Sequence, residues 1–222
     1  MKKNNKLQAI IEVAIFAAIA VALDLIQGGL FKGVFASGGS IGFAMLPIFI
    51  ISYRRGLGYG ILCGFIVSVL QMLSGIYVIQ GATMPNDFLK ACGPFIQVML
   101  DYVLAYTLVG FAGLFAKVYK KSGDQKSRIL FIILGCLVGG MLKYLVHTIA
   151  GIVFWLGDGS GSFAGIANNT HLYSWIYNGA YCIPNIIICT IIMVIIAIRY
   201  PFFLDLSNEE LLNENMEDNA ND

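Results

Sequence analysis

The sequence predicts an all-α integral membrane protein of six transmembrane helices with both termini in the cytoplasm. Three observations predict it. The chain is 58% hydrophobic and only 12% charged, whereas a soluble domain carries about 25% charged residues, so its natural solvent is lipid. Its apolar residues fall into six blocks, most of them close to the roughly 20 residues that cross a bilayer as a helix. Its basic residues collect at alternate ends of those blocks, the pattern of cytoplasmic loops under the positive-inside rule.

The first block, residues 9–26, follows Lys2, Lys3 and Lys6. A basic stretch before an apolar run also describes a signal peptide. Here Glu12 interrupts the run and five more blocks follow, so it reads as a retained helix. Ala14, Ala18 and Ala22 recur at four-residue intervals, a small-residue face that allows close packing in lipid. On a terminal helix that face is a candidate for docking another membrane protein. The second block, 41–53, is short, contains Pro47 and is followed by Arg54 and Arg55; it is expected to be tilted, broken or only partly membrane-crossing. The third, 57–79, opens on Gly56, Gly60 and Gly64, a spacing that suits internal helix packing. The fourth, 93–116, leads into Lys117, Lys120, Lys121, Lys126 and Arg128. The fifth, 129–156, carries Gly135 and Gly139, and the sixth, 173–200, ends at Arg199. The opposite loops hold only Lys32 and Lys90. Residues 1–204 therefore read as one membrane domain. Residues 205–222, acidic and Asn-rich, read as a solvated, mostly disordered cytoplasmic tail. Cys63, Cys92, Cys136, Cys182 and Cys189 lie in or beside apolar blocks without metal-ligand spacing, so they read as small core residues.

A polar stripe interrupts the fifth block: Lys143, His147, Gly151 and Trp155 recur every fourth residue and so share one helix face. Ionisable groups inside a membrane are costly and usually face a cavity, a partner or a substrate. Helical rise puts Asp101 about eight residues, or ~12 Å, below the outer end of the fourth block, and His147 ~14 Å below that of the fifth. They should share a level. Asn178 lies ~8 Å down the sixth, Trp155, Tyr173, Trp175 and Tyr177 sit near the rim, and Asp24 is near the outer end of the first. A carboxylate, hydrogen-bonding groups and aromatic faces converge toward the outside, which suits a small, flat, polar or cationic heteroaromatic solute. Other readings stand beside this one. The aromatics could be an interfacial belt, Asp101 a buried ion pair, His147 a satisfied interior histidine, and Lys143 a structural residue. The outer loops 28–40 and 156–172 could be lids or plain connectors.

Several chemistries are disfavoured. There is no P-loop, no H-E-x-x-H or Cys/His zinc pattern, and no interleaved basic surface for nucleic acid. If the chain moves a solute uphill, the energy comes from an ion gradient or from a separate ATP-hydrolysing partner.

Five stretches carry a family likeness: EVAIFAAIAVALDLI, GGSIGFAMLPIFIISYRRG, LDYVLAY, KYLVHTIAGIVFW and YSWIYNGAYCIP, in that order across residues 11–200. Together they resemble the thiamine-specific substrate-binding components of energy-coupling factor transporters. The resemblance implies a six-helix bundle that binds thiamine tightly from outside, with no enzymatic activity, no cofactor and no metal. Transport would need a membrane scaffold protein and two cytoplasmic ATPases, which alone use ATP. The family's pocket acid falls on Asp101, beside Tyr102, where some relatives carry Glu. Its pocket histidine, glycine and aromatic fall on His147, Gly151 and Trp155. Its last-helix tyrosine and asparagine fall on Tyr173 and Asn178, with Tyr177 adjacent. Its lid is the first outer loop, where some members place a Trp. Between residues 28 and 40 this chain offers Phe31 and Phe35 instead. Ala14 and Ala18 resemble the family's docking surface for the scaffold. Rival readings are a binding component or gradient-driven transporter for another small heteroaromatic vitamin, and an intramembrane enzyme using Asp101 and His147 as acid and base.

Overall fold

The computed structural model describes residues 5–31, 34–35, 38–79 and 86–206. Lys2, Lys3, Lys32 and the tail from residue 207 onward lie outside the described residues. Six helices form the bundle: α1 (Asn5–Leu30), α2 (Leu46–Arg55), α3 (Leu57–Met72), α4 (Asp87–Lys121), α5 (Gln125–Phe154) and α6 (His171–Arg199). The described helices α1, α4, α5 and α6 are each long and apolar enough to cross a membrane.

The second sequence block behaves differently from the others. Its helix is only ten residues long and includes Arg54 and Arg55, about 15 Å of rise against a hydrocarbon core of about 30 Å. It is enclosed by protein: Ile48, Phe49, Ile51 and Tyr53 of α2 are fully buried. The stretch before it stays non-helical because side chains take its backbone N–H groups. Gly42 N–H donates to Asn185 Oδ1 (2.6 Å) and Ala44 N–H to Gln27 Oε1 (3.2 Å). Gly56, at φ +94°, then breaks the chain between α2 and α3, a conformation that favours glycine. The third block stops short as well. Its helix ends at Met72, after 16 residues, and residues 75–79 run on without helical structure.

Side-chain caps set the other boundaries. Asn86 accepts the Leu89 N–H and starts α4 six residues ahead of its apolar block. Asp124 caps α5 through the Ser127 N–H, and Thr170 caps α6 through the Tyr173 N–H. Within α4 the winding changes, to a π-type turn at Met99–Leu104 and a 3-10 stretch at Leu108–Phe115. The α5–α6 connection forms a small antiparallel hairpin, β1 (Ser162–Phe163) with β2 (Ile166–Ala167). Its two turn residues, Ala164 and Gly165, both have positive φ, as a two-residue hairpin turn of this hand requires.

Small residues decide which helices touch. Gly60 and Gly64 of α3 lie against the backbone of Gly110 and Tyr106 in α4, and Gly135 and Gly139 of α5 lie against the Ala112 and Val109 carbonyls. On α1, Ala9, Val13, Ala17 and Ala20 face inward, while Ala14 and Ala18 are exposed beside Ile11, Ile15 and Ile19. The expectation for the cysteines needs one correction: four are buried, but Cys92 near the start of α4 is exposed.

The basic ends of the helices gather at one end of the bundle. There Glu12, the interruption in the first apolar block, accepts four hydrogen bonds: from Arg54 Nε and Nη2 at 3.0 and 3.2 Å, and from Arg55 Nε and Nη2, both at 2.7 Å. Such fork-shaped pairing lets a carboxylate sit inside a bundle. Packing continues past residue 204. Asp205 is buried, and its carboxylate lies 3.7 Å from Arg128.

Candidate functional site

At the other end of the bundle, α1, α4, α5, α6 and the first loop enclose a cavity of about 850 Å³. Asp101, Tyr102, His147, Gly151, Trp155, Tyr173, Tyr177 and Asn178 all line it. The structure therefore brings these eight residues together around one space.

Asp101 sits in the π-type turn of α4. Such turns widen a helix and re-aim its side chains, and they recur at functional sites. Its Oδ2 accepts the Trp155 Nε1–H at 2.8 Å and, more weakly, an N–H of Gln97 at 3.5 Å. Its Oδ1 lies 3.9 Å from His147 Nδ1, beyond a direct hydrogen bond. The expected shared level of Asp101 and His147 is thus met, and one face of the carboxylate stays available toward the cavity. Gln97 is fully buried and accepts the Ile79 N–H at 3.0 Å, which ties Asp101 to the segment after α3. From that segment Tyr77 stacks on Trp155, with centroids 5.4 Å apart and ring planes 30° apart. The Tyr102 hydroxyl accepts the Tyr77 N–H at 2.9 Å. Tyr77 and Trp155 therefore form one braced aromatic wall.

A second charged group lies deeper. Tyr106 Oη donates to Asp24 Oδ1 at 2.6 Å, and Gln27 Nε2 bridges Asp24 (3.3 Å) and Ser40 Oγ (3.0 Å). The buried Lys143 ammonium lies 3.3 Å from the Tyr106 ring centroid, a cation–π contact. Lys143 lines the cavity, so the whole stripe from Lys143 to Trp155 faces the same space.

The α6 wall is aromatic. Tyr173 and Tyr177 stack at 5.5 Å, and Tyr181 meets His147 edge-on at 6.2 Å. The first loop closes over this wall. Phe35 packs edge-on against Tyr177 and Tyr181 at 6.0 and 5.5 Å, and Phe163 of the hairpin meets Tyr177 at 5.1 Å. The loop backbone is pinned from α6, because Tyr177 Oη donates to the Gly38 carbonyl (3.0 Å) and Asn185 Nδ2 to the Ser40 carbonyl (2.8 Å). Phe35 lines the cavity from the first loop. Phe31 also lines the cavity.

Three expectations change in detail. Gly151 is expected on the pocket wall. The space left by its missing side chain is instead taken by Ser174 of α6, whose Oγ donates to the Thr148 carbonyl at 2.8 Å. Asn178 Nδ2 donates to the Ser174 carbonyl and Oγ, at 2.9 and 3.1 Å, and its Oδ1 accepts the Tyr181 hydroxyl at 2.6 Å; it positions Tyr181. Trp175 does not line the cavity. It is 40% exposed and packs on Tyr144. Sequence reading passed over Tyr77, Gln97, Tyr106 and Tyr181. Three of them stand one four-residue step from a residue singled out, Gln97 from Asp101, Tyr106 from Tyr102 and Tyr181 from Tyr177, and Tyr77 left no such signal.

The arrangement can take a ring that donates hydrogen bonds to Asp101 and slides between aromatic faces. Two carboxylates against one lysine favour a cationic guest. Among the described residues, no group of three His, Cys, Asp or Glu side chains converges to hold a metal.

Residues 10–204 match the family model described as thiamine transporter protein (Thia_YuaJ). The chain is 31% identical over 207 residues to the thiamine transporter ThiT of Bacillus subtilis, covering 92% of this chain and 97% of that protein. It is 30% identical to ThiT of Lacticaseibacillus paracasei over 196 residues, covering 87% and 88% respectively. A solved structure of ThiT from Listeria monocytogenes superposes with a TM-score of 0.71 at 28% identity, covering 91% of this chain and all of that one.

Proposed function

The chain belongs to the thiamine transporter protein family, and from that premise we propose that it is the high-affinity thiamine-binding component of an energy-coupled uptake system. It is a multi-pass cell-membrane transport protein, not an enzyme. The observation that carries the binding reading is the Asp101 carboxylate. It is held by the Trp155 indole N–H with its other oxygen toward His147, inside an aromatic cavity.

Thiamine joins an aminopyrimidine to a cationic thiazolium. In this reading Asp101 accepts hydrogen bonds from the aminopyrimidine or balances the thiazolium charge, and Trp155 with Tyr77 supplies a stacking face. His147, Tyr102 and Tyr173 orient polar groups, and Asn178 acts through the Tyr181 hydroxyl. Tyr177 braces the loop that carries Phe35. Guest and aromatic faces together exclude water, which strengthens the charge interactions.

Transport then requires partners: a membrane scaffold protein and two ATPases that alone consume ATP. The exposed Ala14 and Ala18 face of α1 supports scaffold docking there, since small residues allow close helix approach in lipid. Basic helix ends support a cytoplasmic setting for the Lys6, Arg54, Lys120 and Arg128 end.

The test is a thiamine titration of detergent-purified protein followed by tryptophan fluorescence. Saturable quenching at one thiamine per chain is expected, and it should disappear in Trp155→Phe but persist in Trp175→Phe. Absence of saturable quenching in the wild type, with a competing vitamin such as riboflavin giving it instead, would overturn the reading.

A further inference from the structure

A primary amide buried in a membrane-spanning helix has to find partners for both its ends, because an unpaired polar group there is costly. Gln97 of α4 is fully buried. It stands four residues ahead of Asp101, just before the winding changes to the π-type turn. Its Oε1 accepts the Ile79 N–H at 3.0 Å, and its Nε2 donates to Asp101 Oδ2 at 3.5 Å. A backbone N–H only donates and a carboxylate only accepts, so the amide fits one way round.

Ile79 ends a strap that leaves α3 and runs past the cavity. Residues 75–79 have no helical structure, and 73–77 are exposed. Two α4 side chains hold the strap backbone. Tyr102 Oη accepts the Tyr77 N–H at 2.9 Å and donates to the Tyr77 carbonyl at 3.3 Å, and Gln97 takes the Ile79 N–H. The contacts close a circuit. Asp101 accepts the Trp155 indole N–H, Trp155 stacks on Tyr77, the chain runs from Tyr77 to Ile79, and Gln97 leads back to Asp101. The last link is the long one at 3.5 Å, so it has room to shorten. Trp155 and Gln97 both donate to Oδ2, which leaves Oδ1, the oxygen nearer His147, for a guest.

We infer that Gln97 is a positioning residue of the solute site. One buried amide sets both the Asp101 carboxylate and the strap that lays Tyr77 on Trp155, so a guest engaging Asp101 also tightens residues 75–79. This rests on the reading of Asp101 as the pocket acid.

The test uses a Trp175→Phe parent in detergent, in which Trp155 is the remaining tryptophan. Gln97→Met keeps the volume and removes both hydrogen bonds. Gln97→Glu keeps an acceptor for the Ile79 N–H but sets a second carboxyl beside Asp101. Without any guest, acrylamide should quench Trp155 more strongly in Gln97→Met than in the parent, and equally in Gln97→Glu and the parent. A residue that merely fills space would lower the unfolding temperature without moving that quenching. With thiamine, each variant should bind roughly tenfold more weakly. Adding Tyr77→Ala to Gln97→Met should cost less than the product of the two single losses, since the two residues serve one strap. Unchanged Trp155 quenching in Gln97→Met, parent-like thiamine affinity in Gln97→Glu, or fully multiplicative losses would each overturn the inference. The quenching comparison needs no guest. A parent that binds no thiamine would therefore refute the thiamine reading, while quenching still decides the role of Gln97.

Discussion

The two ends of this bundle each bury a carboxylate, and they treat it in opposite ways. At the basic end, Glu12 accepts four guanidinium hydrogen bonds and has little capacity left. At the cavity end, Asp101 receives one strong bond, from Trp155, and one long one, from Gln97, while its second oxygen stands 3.9 Å from His147. Both groups are expensive in a membrane protein. The first is resolved by its own fold; the second is left for a guest to complete. The degree to which a buried charge is satisfied separates scaffold from site here, where burial alone does not.

Glu12→Gln is the strongest way to break that comparison. It leaves two guanidinium groups without their counter-ion, and unpairing a buried charge typically costs 3–5 kcal/mol. Thermal unfolding should show a large loss of stability, while the protein that remains folded still binds thiamine one to one. A loss of affinity without a loss of stability would erase the distinction between the two ends. Asp101→Asn should do the reverse. Affinity should fall by about 2–3 kcal/mol, roughly 30- to 150-fold, with the unfolding temperature nearly unchanged; calorimetry of both quantities decides it.

Gly151→Ala sharpens the comparison from within the site. The added methyl would collide with Ser174 Oγ, and overpacking of this kind costs about 1–3 kcal/mol. Unfolding temperature should drop, and Ser174→Ala in the same chain should restore much of it. Rescue of stability would assign Gly151 to helix packing, whereas an affinity loss that Ser174→Ala leaves untouched would return it to the ligand wall. The smallest effect is expected from Tyr181→Phe. It removes the 2.6 Å bond to Asn178, a net loss of about 1 kcal/mol, and should appear as a few-fold faster thiamine dissociation in stopped-flow fluorescence.

Much of this was legible in the chain. Four-residue spacing placed Lys143, His147, Gly151 and Trp155 on one face, and counting helical rise put Asp101 level with His147. What escaped had no periodic signature. An apolar run of a dozen residues around Pro47 reads alike whether it half-crosses lipid or sits buried in protein, so the enclosure of α2 was not legible. Tyr77 reaches Trp155 from a non-helical stretch, where no period predicts direction. Gly151 was found for its position, but its neighbour across the interface, Ser174, depends on how two helices pack. The Glu12 pairing needs residues 42 and 43 positions apart, a separation that a single sequence does not reveal.

The π-type turn at Met99–Leu104 divides α4 into two differently phased segments. Such a turn amounts to one surplus residue in an otherwise regular helix, and one residue corresponds to about 100° of rotation. Deleting a single residue there would keep Ala105, Val109 and Ala112 seated in the core and turn Asp87–Val98 about the axis. Gln97 would leave its buried place, while Phe88 and Phe95, now exposed, would sweep to new bearings. The carboxylate stands at the splice between a half of α4 whose phase is locked by its neighbours and a half whose phase is set by one inserted residue.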